Sequence, residues 1–212
     1  WVIIVLIVAD QLGIPVTSLV ALLSVVSLAV SLAVQSVLSN IAGGLVILVT
    51  KPFQLGDLVE TADGLGTVKE ISLTFTKLET PDGLWLMTPN SVLSSGKITN
   101  YTALGRRRAE IRVGASYDAA VSDVRAACLD AAARVPGVLP DPAPIVYVDS
   151  YGESSISYIV RVWCRSEDYT DVYYGLTEGL KAAFDEHGVE MPYNHLNIHI
   201  LDQTEQKEKQ TV

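Results

Sequence analysis

The sequence predicts a membrane α-helical pore region followed by an α+β part, in which a small β-barrel precedes a ferredoxin-like α/β domain. Three observations lead to this fold class. The first 50 of the 212 residues contain one charged side chain, Asp10. Residues 53–103 alternate short apolar runs with turn dipeptides, which is typical of a small β-barrel. Residues 106–200 then follow the order β-α-β-β-α-β, which is that of a ferredoxin-like domain.

Residues 1–12 form an apolar stretch that ends at the break Gly13-Ile14-Pro15. A stretch of this length is too short to cross a bilayer, which takes about 20 residues. It also lacks the basic flank and the cleavage motif of a secretory signal peptide. We therefore expect residues 1–12 to be the end of a truncated transmembrane helix, with more membrane sequence upstream.

Residues 13–50 are uncharged and are expected to form a kinked helix. A straight helix over residues 16–50 would be about 52 Å long, against a hydrocarbon core of about 30 Å. Small and polar residues mark helix kinks, so the bend is expected at Ser36 or at Gly43-Gly44. The first half would cross the membrane and line a pore. The second half would be an interfacial helix that lies at the membrane surface or packs against the soluble domain.

Helical periodicity divides the surface of this helix into four faces. An apolar stripe holds Leu28 and Leu32, together with Ala21, Val25 and Gln35. Two flanks consist of small residues: Ser24, Ser27 and Ser31 on one side, and Ala29, Ala33 and Ser36 on the other. The bulky apolar back contains Leu19, Leu23, Val26, Val30 and Val34. Small flanks let helices approach closely in lipid, so we expect copies to pack in a ring with Leu28 and Leu32 facing the central axis.

Rings of Leu28 and Leu32 would form a narrow apolar throat, which blocks ions when it empties of water. Gln35 lies about one turn beyond Leu32, and two roles stay open for it. Its side chain either meets water at the cytoplasmic mouth of the pore or forms a hydrogen bond with a neighbouring chain. Asn40 is expected to make a structural contact at the bend. The stripe has no charged ring and no filter loop, which predicts poor ion selectivity.

The dipeptide Lys51-Pro52 ends the helical region and opens a β domain over residues 51–104. The α/β domain covers residues 105–202 and includes a C-terminal strand. Its predicted strands are Arg108–Ser116, Ile145–Asp149, Ser155–Arg165 and Leu196–Leu201, and its predicted helices are Tyr117–Val135 and Thr170–Gly188. Residues 203–212 are expected to be a disordered polar tail.

Charge argues against a nucleic-acid partner. The formal net charge is −9, and Asp10 accounts for one unit of it, so residues 51–212 carry −8. The run Arg106-Arg107-Arg108 is too short to reverse this balance. If that acidic part lines the ion path, it would favour cations. Cys128 and Cys164 lie in apolar patterns with no C-x-x-C or Cys/His cluster, which indicates reduced core thiols and a cytosolic location for the soluble part.

An enzyme is not predicted. His195 and His199 stand in alternating sequence, where four strand residues span about 13 Å, too far for one metal ion. Residues 63–66, which read Asp-Gly-Leu-Gly, lack a phosphate-loop pattern and lie between strands. No Ser/His/Asp or Cys/His arrangement is apparent. We expect no catalysis, no cofactor, no metal site and no small-molecule substrate other than permeating ions and solutes.

Several ordered motifs together resemble the small-conductance mechanosensitive channel (MscS) family. They include LAVQSVLSNIAGGLVIL, KPFQLGDLVE, GTVKEI, TPDGLWLMTPN and ITNYT, followed by VGASYD, SSISYIVRVW and MPYN. The resemblance covers residues 15–201. It implies a homoheptamer in which the third membrane helix lines the pore, with an Sm-like β domain and an α/β domain enclosing a vestibule.

The resemblance further implies a multi-pass protein of the cell membrane, with residues from about 51 onward in the cytoplasm. Its partners would be membrane lipids and copies of itself. Membrane tension would open the pore, which would release ions and small solutes on hypoosmotic shock. Leu28 and Leu32 match the two leucine rings that close the family's pore, the same two residues that the helical wheel selects.

This chain departs from the family pattern in its serines. Ser24, Ser27 and Ser31 stand where glycines are common, and Ser36 stands at the family's kink glycine, so the choice between Ser36 and Gly43-Gly44 as the hinge stays open. A non-conducting membrane scaffold or signalling assembly is the alternative function. A transporter half is disfavoured because the stripe lacks polar mid-membrane residues.

Overall fold

A computed structural model describes residues 1–13, 16–196 and 198 of the chain. The chain divides into two compact units, Trp1–Ala103 and Leu104–Val212. The predicted polar tail at residues 203–212 lies outside the described residues. Of the predicted strand Leu196–Leu201, only Leu196 and Ile198 are described, and both are exposed and outside any strand.

The first unit begins with two apolar helices, α1 (Val2–Gln11) and α2 (Val16–Thr50). Among the described residues, α2 alone is long and apolar enough to cross a membrane, with a mean hydropathy of 2.3 over its most apolar window. It passes Ser36 and Gly43-Gly44 without a break in helical structure. The sequence divides this region into two helices, and the structure has one element there; a bend within it stays a prediction.

Five antiparallel strands form the sheet of the first unit, in the order β4-β3-β2-β1-β5. Strands β4 and β5 are its edges, so the predicted barrel is open between them; β5 has only two residues with which to pair. The strands are β1 (Leu58–Thr61), β2 (Gly64–Ile71), β3 (Phe75–Glu79), β4 (Trp85–Pro89) and β5 (Thr99–Asn100). The expectation of strands alone over residues 53–103 is wrong at one place, because the short helix α3 (Asn90–Ser95) follows β4.

The core of this sheet also holds the end of α2. Ile47 of α2 is 1% exposed and packs in one cluster with Phe53, Val59, Val68 and Leu78. Burial of an aliphatic side chain of this size contributes about 1.5–3 kcal/mol. The C-terminal part of α2 is therefore fixed to the β domain by the same apolar core that stabilises the sheet.

The second unit has the elements β6 (Arg106–Ala115), α4 (Val121–Arg134), β7 (Ile145–Tyr151), β8 (Ile156–Arg165) and α5 (Tyr169–Glu186). Its antiparallel sheet has the order β6-β8-β7, which is the arrangement of the first three strands of a ferredoxin-like fold. After α5 the chain returns to the end of β6, where the Ser116 amide donates to the Glu190 carbonyl at 3.0 Å.

Both helices of this unit pack on one face of the sheet. Their buried residues form one apolar core with the strand residues of that face, among them Val160 and Val162 of β8. Cys128 and Cys164 are free and buried in this core, as the sequence predicts. Burial raises the pKa of the Cys128 thiol to about 12, so this thiol stays protonated at neutral pH. The opposite face of the sheet carries the remaining strand side chains.

Candidate functional site

The residues predicted to form the pore all lie on α2, and their side chains are exposed in the single chain. Val25 is 66% exposed, and Leu28 and Leu32 are each 61% exposed. The other exposed members of the predicted stripe and flanks are Ala21, Ser24, Ser27, Ala29, Ser31, Ala33, Gln35 and Ser36. An exposed, uncharged surface of this length needs lipid or other chains to cover it.

One serine of the small-residue flank forms a hydrogen bond within its own helix. The Ser24 hydroxyl donates to the Val20 carbonyl at 2.8 Å, one turn earlier in the same helix. Such a bond occupies the hydroxyl proton, so Ser24 has only its oxygen lone pairs left for a neighbouring helix.

Gly43 and Gly44 are the two predicted hinge residues that the structure buries. A Cβ atom on Gly43 would lie 2.6 Å from the Asn90 carbonyl oxygen and 2.8 Å from the Ser91 nitrogen. A Cβ atom on Gly44 would lie 2.6 Å from the Asn90 Nδ2 and would clash with the Leu73 carbonyl oxygen. The glycine pair therefore lets the backbone of α2 touch the β domain, a role that the sequence analysis did not assign to it.

A polar cluster around Asn90 lies in the β domain where α2 contacts it. Asn90 is fully buried; its Nδ2 donates to the Ser72 carbonyl at 2.8 Å, and its Oδ1 accepts from the Thr76 hydroxyl at 2.8 Å. The Asn40 side chain reaches across from α2, where its Oδ1 accepts from the Ser91 amide at 3.1 Å. The structural contact predicted for Asn40 is confirmed, and its partner is the first turn of α3.

Sequence reasoning missed Asn90 because the Pro89-Asn90 pair indicates a turn. The signal that it is buried comes only from the fold, since its partners Thr76 and Ser72 lie 14 and 18 residues before it in the sequence. Their hydrogen bonds satisfy polar groups that would otherwise be buried without partners, at a cost of about 1–3 kcal/mol each. This cluster holds Asn90 against Gly43 and Gly44. We call the contact of Asn40, Gly43, Gly44 and Ile47 with the β domain the seat of α2.

A second polar network, centred on Asp57, lies in the β domain shortly after the C-terminal end of α2. Asp57 accepts hydrogen bonds from the Gln54 amide, the Asn100 side chain and the Thr102 hydroxyl. Burial alone would raise the pKa of the Asp57 carboxyl, but these three hydrogen bonds outweigh it and lower the pKa below the usual 3.8. Asp57 is thus ionised at neutral pH, and its hydrogen bonds join the start of the β domain, at Gln54, to its end, at Asn100 and Thr102.

Among the described residues, no group of three or more His, Cys, Asp or Glu side chains could hold a metal ion. The helix α2 itself carries no formal charge. The electrostatics of the predicted pore face are therefore those of an apolar surface with hydroxyl and amide dipoles.

Three domain profiles match consecutive parts of the chain. "Mechanosensitive ion channel, transmembrane helices 2/3" matches residues 1–35, "Mechanosensitive ion channel, beta-domain" matches residues 36–103, and "Mechanosensitive ion channel MscS, C-terminal" matches residues 109–191. An uncharacterised MscS family protein of Synechocystis is 33% identical over 198 residues, which cover 93% of this chain and 67% of that protein. The chain belongs to the MscS family.

Other relatives in the MscS family agree. A small-conductance mechanosensitive channel of Edwardsiella ictaluri is 33% identical over 173 residues, which cover 82% of this chain and 60% of that protein. The crystal structure of Helicobacter pylori MscS in its closed state matches with a TM-score of 0.87 and 30% identity, covering 95% of this chain and 80% of that one. The family and the fold class predicted from the sequence are confirmed.

Proposed function

We propose that this chain forms the pore of a mechanosensitive channel that membrane tension opens. The observation that carries the proposal is α2: an uncharged helix whose stripe of Leu28 and Leu32 lies exposed between two flanks of small residues. Membership of the MscS family, whose relative in Edwardsiella ictaluri is named a small-conductance mechanosensitive channel, supports the same function.

The proposed assembly is a homoheptamer in the cell membrane. Small flanks favour close helix packing in lipid, and the bulky back of α2, with Val26, Val30 and Val34, suits contact with acyl chains. In this arrangement the protein is multi-pass, and residues from about 51 onward lie in the cytoplasm. Membrane lipids and other copies of the chain are then the partners that cover the exposed face of α2.

The gate in this proposal is the pair of leucine rings. An apolar constriction empties of water and blocks ions before it is sterically closed. Tension favours the state of larger membrane area, so the α2 helices separate and the throat becomes wet. Because no charged ring lines residues 16–50, the open pore discriminates weakly between ions and releases ions and small solutes on hypoosmotic shock.

The buried contact of Gly43 and Gly44 keeps the C-terminal part of α2 in place while the N-terminal part moves. Asn40 and Ile47 hold the C-terminal part of α2 on the β domain, through a hydrogen bond to Ser91 and a place in its apolar core. Opening by tilting of the first half of α2 then requires a bend N-terminal to this seat. Ser36, about one turn before Asn40, is the hinge that we propose.

Replacement of the gate leucines tests the proposal. Leu28→Ser or Leu32→Ser puts a hydroxyl into the throat, which favours water there, so cells that express either variant should leak ions and grow slowly. Val30→Ser is the matched control, because residue 30 lies on the opposite side of the helix and faces lipid in the proposed ring.

A leak with Leu28→Ser and Leu32→Ser, and normal growth with Val30→Ser, is the expected result. Equal growth of all three variants at equal membrane expression would contradict a leucine gate and would favour a non-conducting scaffold. Equal toxicity of all three would show that the helix has no face that specifically lines a pore.

A further inference from the structure

The open face of the sheet in the second unit carries a concentration of arginine side chains. The face opposite α4 and α5 presents the even-numbered residues of β6 and the odd-numbered residues of β8. Its arginines are Arg106, Arg108, Arg112, Arg161 and Arg165. Three carboxylates pair with them, those of Glu110, Asp149 and Glu167. A local positive excess therefore lies on a chain whose formal net charge is −9.

Strand geometry divides the run Arg106-Arg107-Arg108 between two faces. Arg107 points to the helical side, where its Cζ lies 3.5 Å from the ring centroid of Tyr169. Arg106 and Arg108 are exposed on the open side, two residues apart on one strand, a separation of about 7 Å. The run is therefore two guanidinium groups on one surface rather than a general basic segment.

Arg106 and Arg165 are direct cross-strand partners. Directly opposite residues of an antiparallel pair have Cα atoms about 4.5–5.5 Å apart, and like charges in these positions destabilise a sheet. Local rules of this kind are broken mainly where a function compensates for the cost. A bound anion would turn this repulsion into attraction.

The guanidinium groups at this end of the sheet have N–H donors that their ion pairs do not use. Arg108 and Arg161 share one carboxylate, that of Glu110, at 2.7 and 3.0 Å. Arg165 and Glu167 are 3.5 Å apart with side chains 68% and 72% exposed, a geometry that contributes little. Within the described part of the chain, Arg106 rests on the ring of Trp163, 5.2 Å from its centroid, and forms no ion pair. Each guanidinium has five N–H donors, so several stay available for a ligand.

We propose that Arg106, Arg108 and Arg165 form a binding site for small multivalent phosphate anions, of the di- or triphosphate class. The planar guanidinium fork matches phosphate oxygens in a bidentate way, and three arginines on neighbouring positions of one sheet face, with Cα atoms about 5–8 Å apart, suit an anion with several charged centres. A long polyanion is disfavoured, because the rest of the acidic chain repels it. The site lies in the second unit and outside α2, so the proposal does not rest on the proposed gating.

Calorimetric titration of the assembled full chain in detergent with inorganic tripolyphosphate tests the proposal. At an ionic strength of about 0.15 M we expect saturable binding. The variant with both Arg106→Gln and Arg165→Gln should bind tripolyphosphate at least about tenfold more weakly than the wild type, since it loses two charge-assisted contacts. Arg125→Gln is the control for loss of positive charge elsewhere on the unit, because it removes one charge, half of what the double variant loses, from the exposed side of α4.

Several results would overturn the proposal. These are absence of saturable binding to the wild type, the same loss in Arg125→Gln, equal affinity for orthophosphate at equal ionic strength, or tighter binding of a short single-stranded oligonucleotide. Thermal unfolding without the anion gives a further check. The double variant should unfold no earlier than the wild type, because it removes a like-charge pair, and a lower midpoint would assign the arginines a structural role instead.

Discussion

Substitution of Gly43 by alanine should loosen the seat of α2 on the β domain. The new Cβ would lie 2.6 Å from the Asn90 carbonyl oxygen, against 3.4 Å for ordinary van der Waals contact, so α3 has to retreat by about 0.8 Å. The neighbouring atoms are backbone, which no rotamer change can move away. The same retreat would lengthen the 3.1 Å hydrogen bond from the Ser91 amide to Asn40 beyond its useful range.

The expected magnitude follows from two opposing effects. Overpacking costs about 1–3 kcal/mol, and replacement of glycine by alanine within a helix returns about 0.5–1 kcal/mol. The net loss at the contact between α2 and α3 is therefore at most about 2.5 kcal/mol, with a central value of about 1.3 kcal/mol, which is a factor of about 10 in an opening equilibrium.

Hydrogen–deuterium exchange, resolved at the Ser91 amide, measures this loss. The exchange of this amide should accelerate by about tenfold in Gly43→Ala. Ser39→Ala is the matched control, since it raises helix propensity nearby on an exposed position and adds no atom at the contact. Exchange in Gly43→Ala that stays at the wild-type rate, or slows, would refute the close approach of the two backbones.

Two further predictions concern the polar networks of the β unit. Asn90→Ala leaves the buried Thr76 hydroxyl without its acceptor, so it should lower the free energy of unfolding by about 2–3 kcal/mol, measured as a lower thermal midpoint. The control Ser94→Ala, on the exposed side of α3, should change the free energy of unfolding by less than about 0.5 kcal/mol. The pKa of Asp57 is lower folded than its usual 3.8, so its contribution is complete above that pH and is lost as the pH falls through the folded value. Circular dichroism during acid titration should therefore show a smaller loss of stability in Asp57→Asn than in the wild type, and identical acid profiles would contradict the network.

Local patterns were sufficient to predict the order in which helical, β and mixed α/β segments follow one another along the chain. The uncharged residues 16–50 predicted an apolar helical region, although the sequence divides it into two helices where the structure has one, and the apolar residues of Ser155–Arg165 predicted the strand β8. The free thiols of Cys128 and Cys164 followed from the apolar positions that they occupy. These features depend on residues close together in sequence.

The seat of α2 could not be predicted in the same way. Gly43 and Gly44 read as flexible residues, because glycine loosens a helix when nothing packs on it. Their role depends on Leu73 and Asn90, which only the folded β unit brings to them. The short helix α3 was missed for a related reason, since Pro89-Asn90 favours a turn and the burial of Asn90 by Ser72 and Thr76 decides the outcome.

Current through an excised liposome patch under graded suction tests the proposed function most directly. The protein reconstituted as a verified assembly in the bilayer should give tension-dependent current steps with weak ion selectivity, because the stripe of Leu28 and Leu32 carries no charge. Absence of current up to rupture of the patch, with the assembly present in the bilayer, would contradict a tension-gated pore.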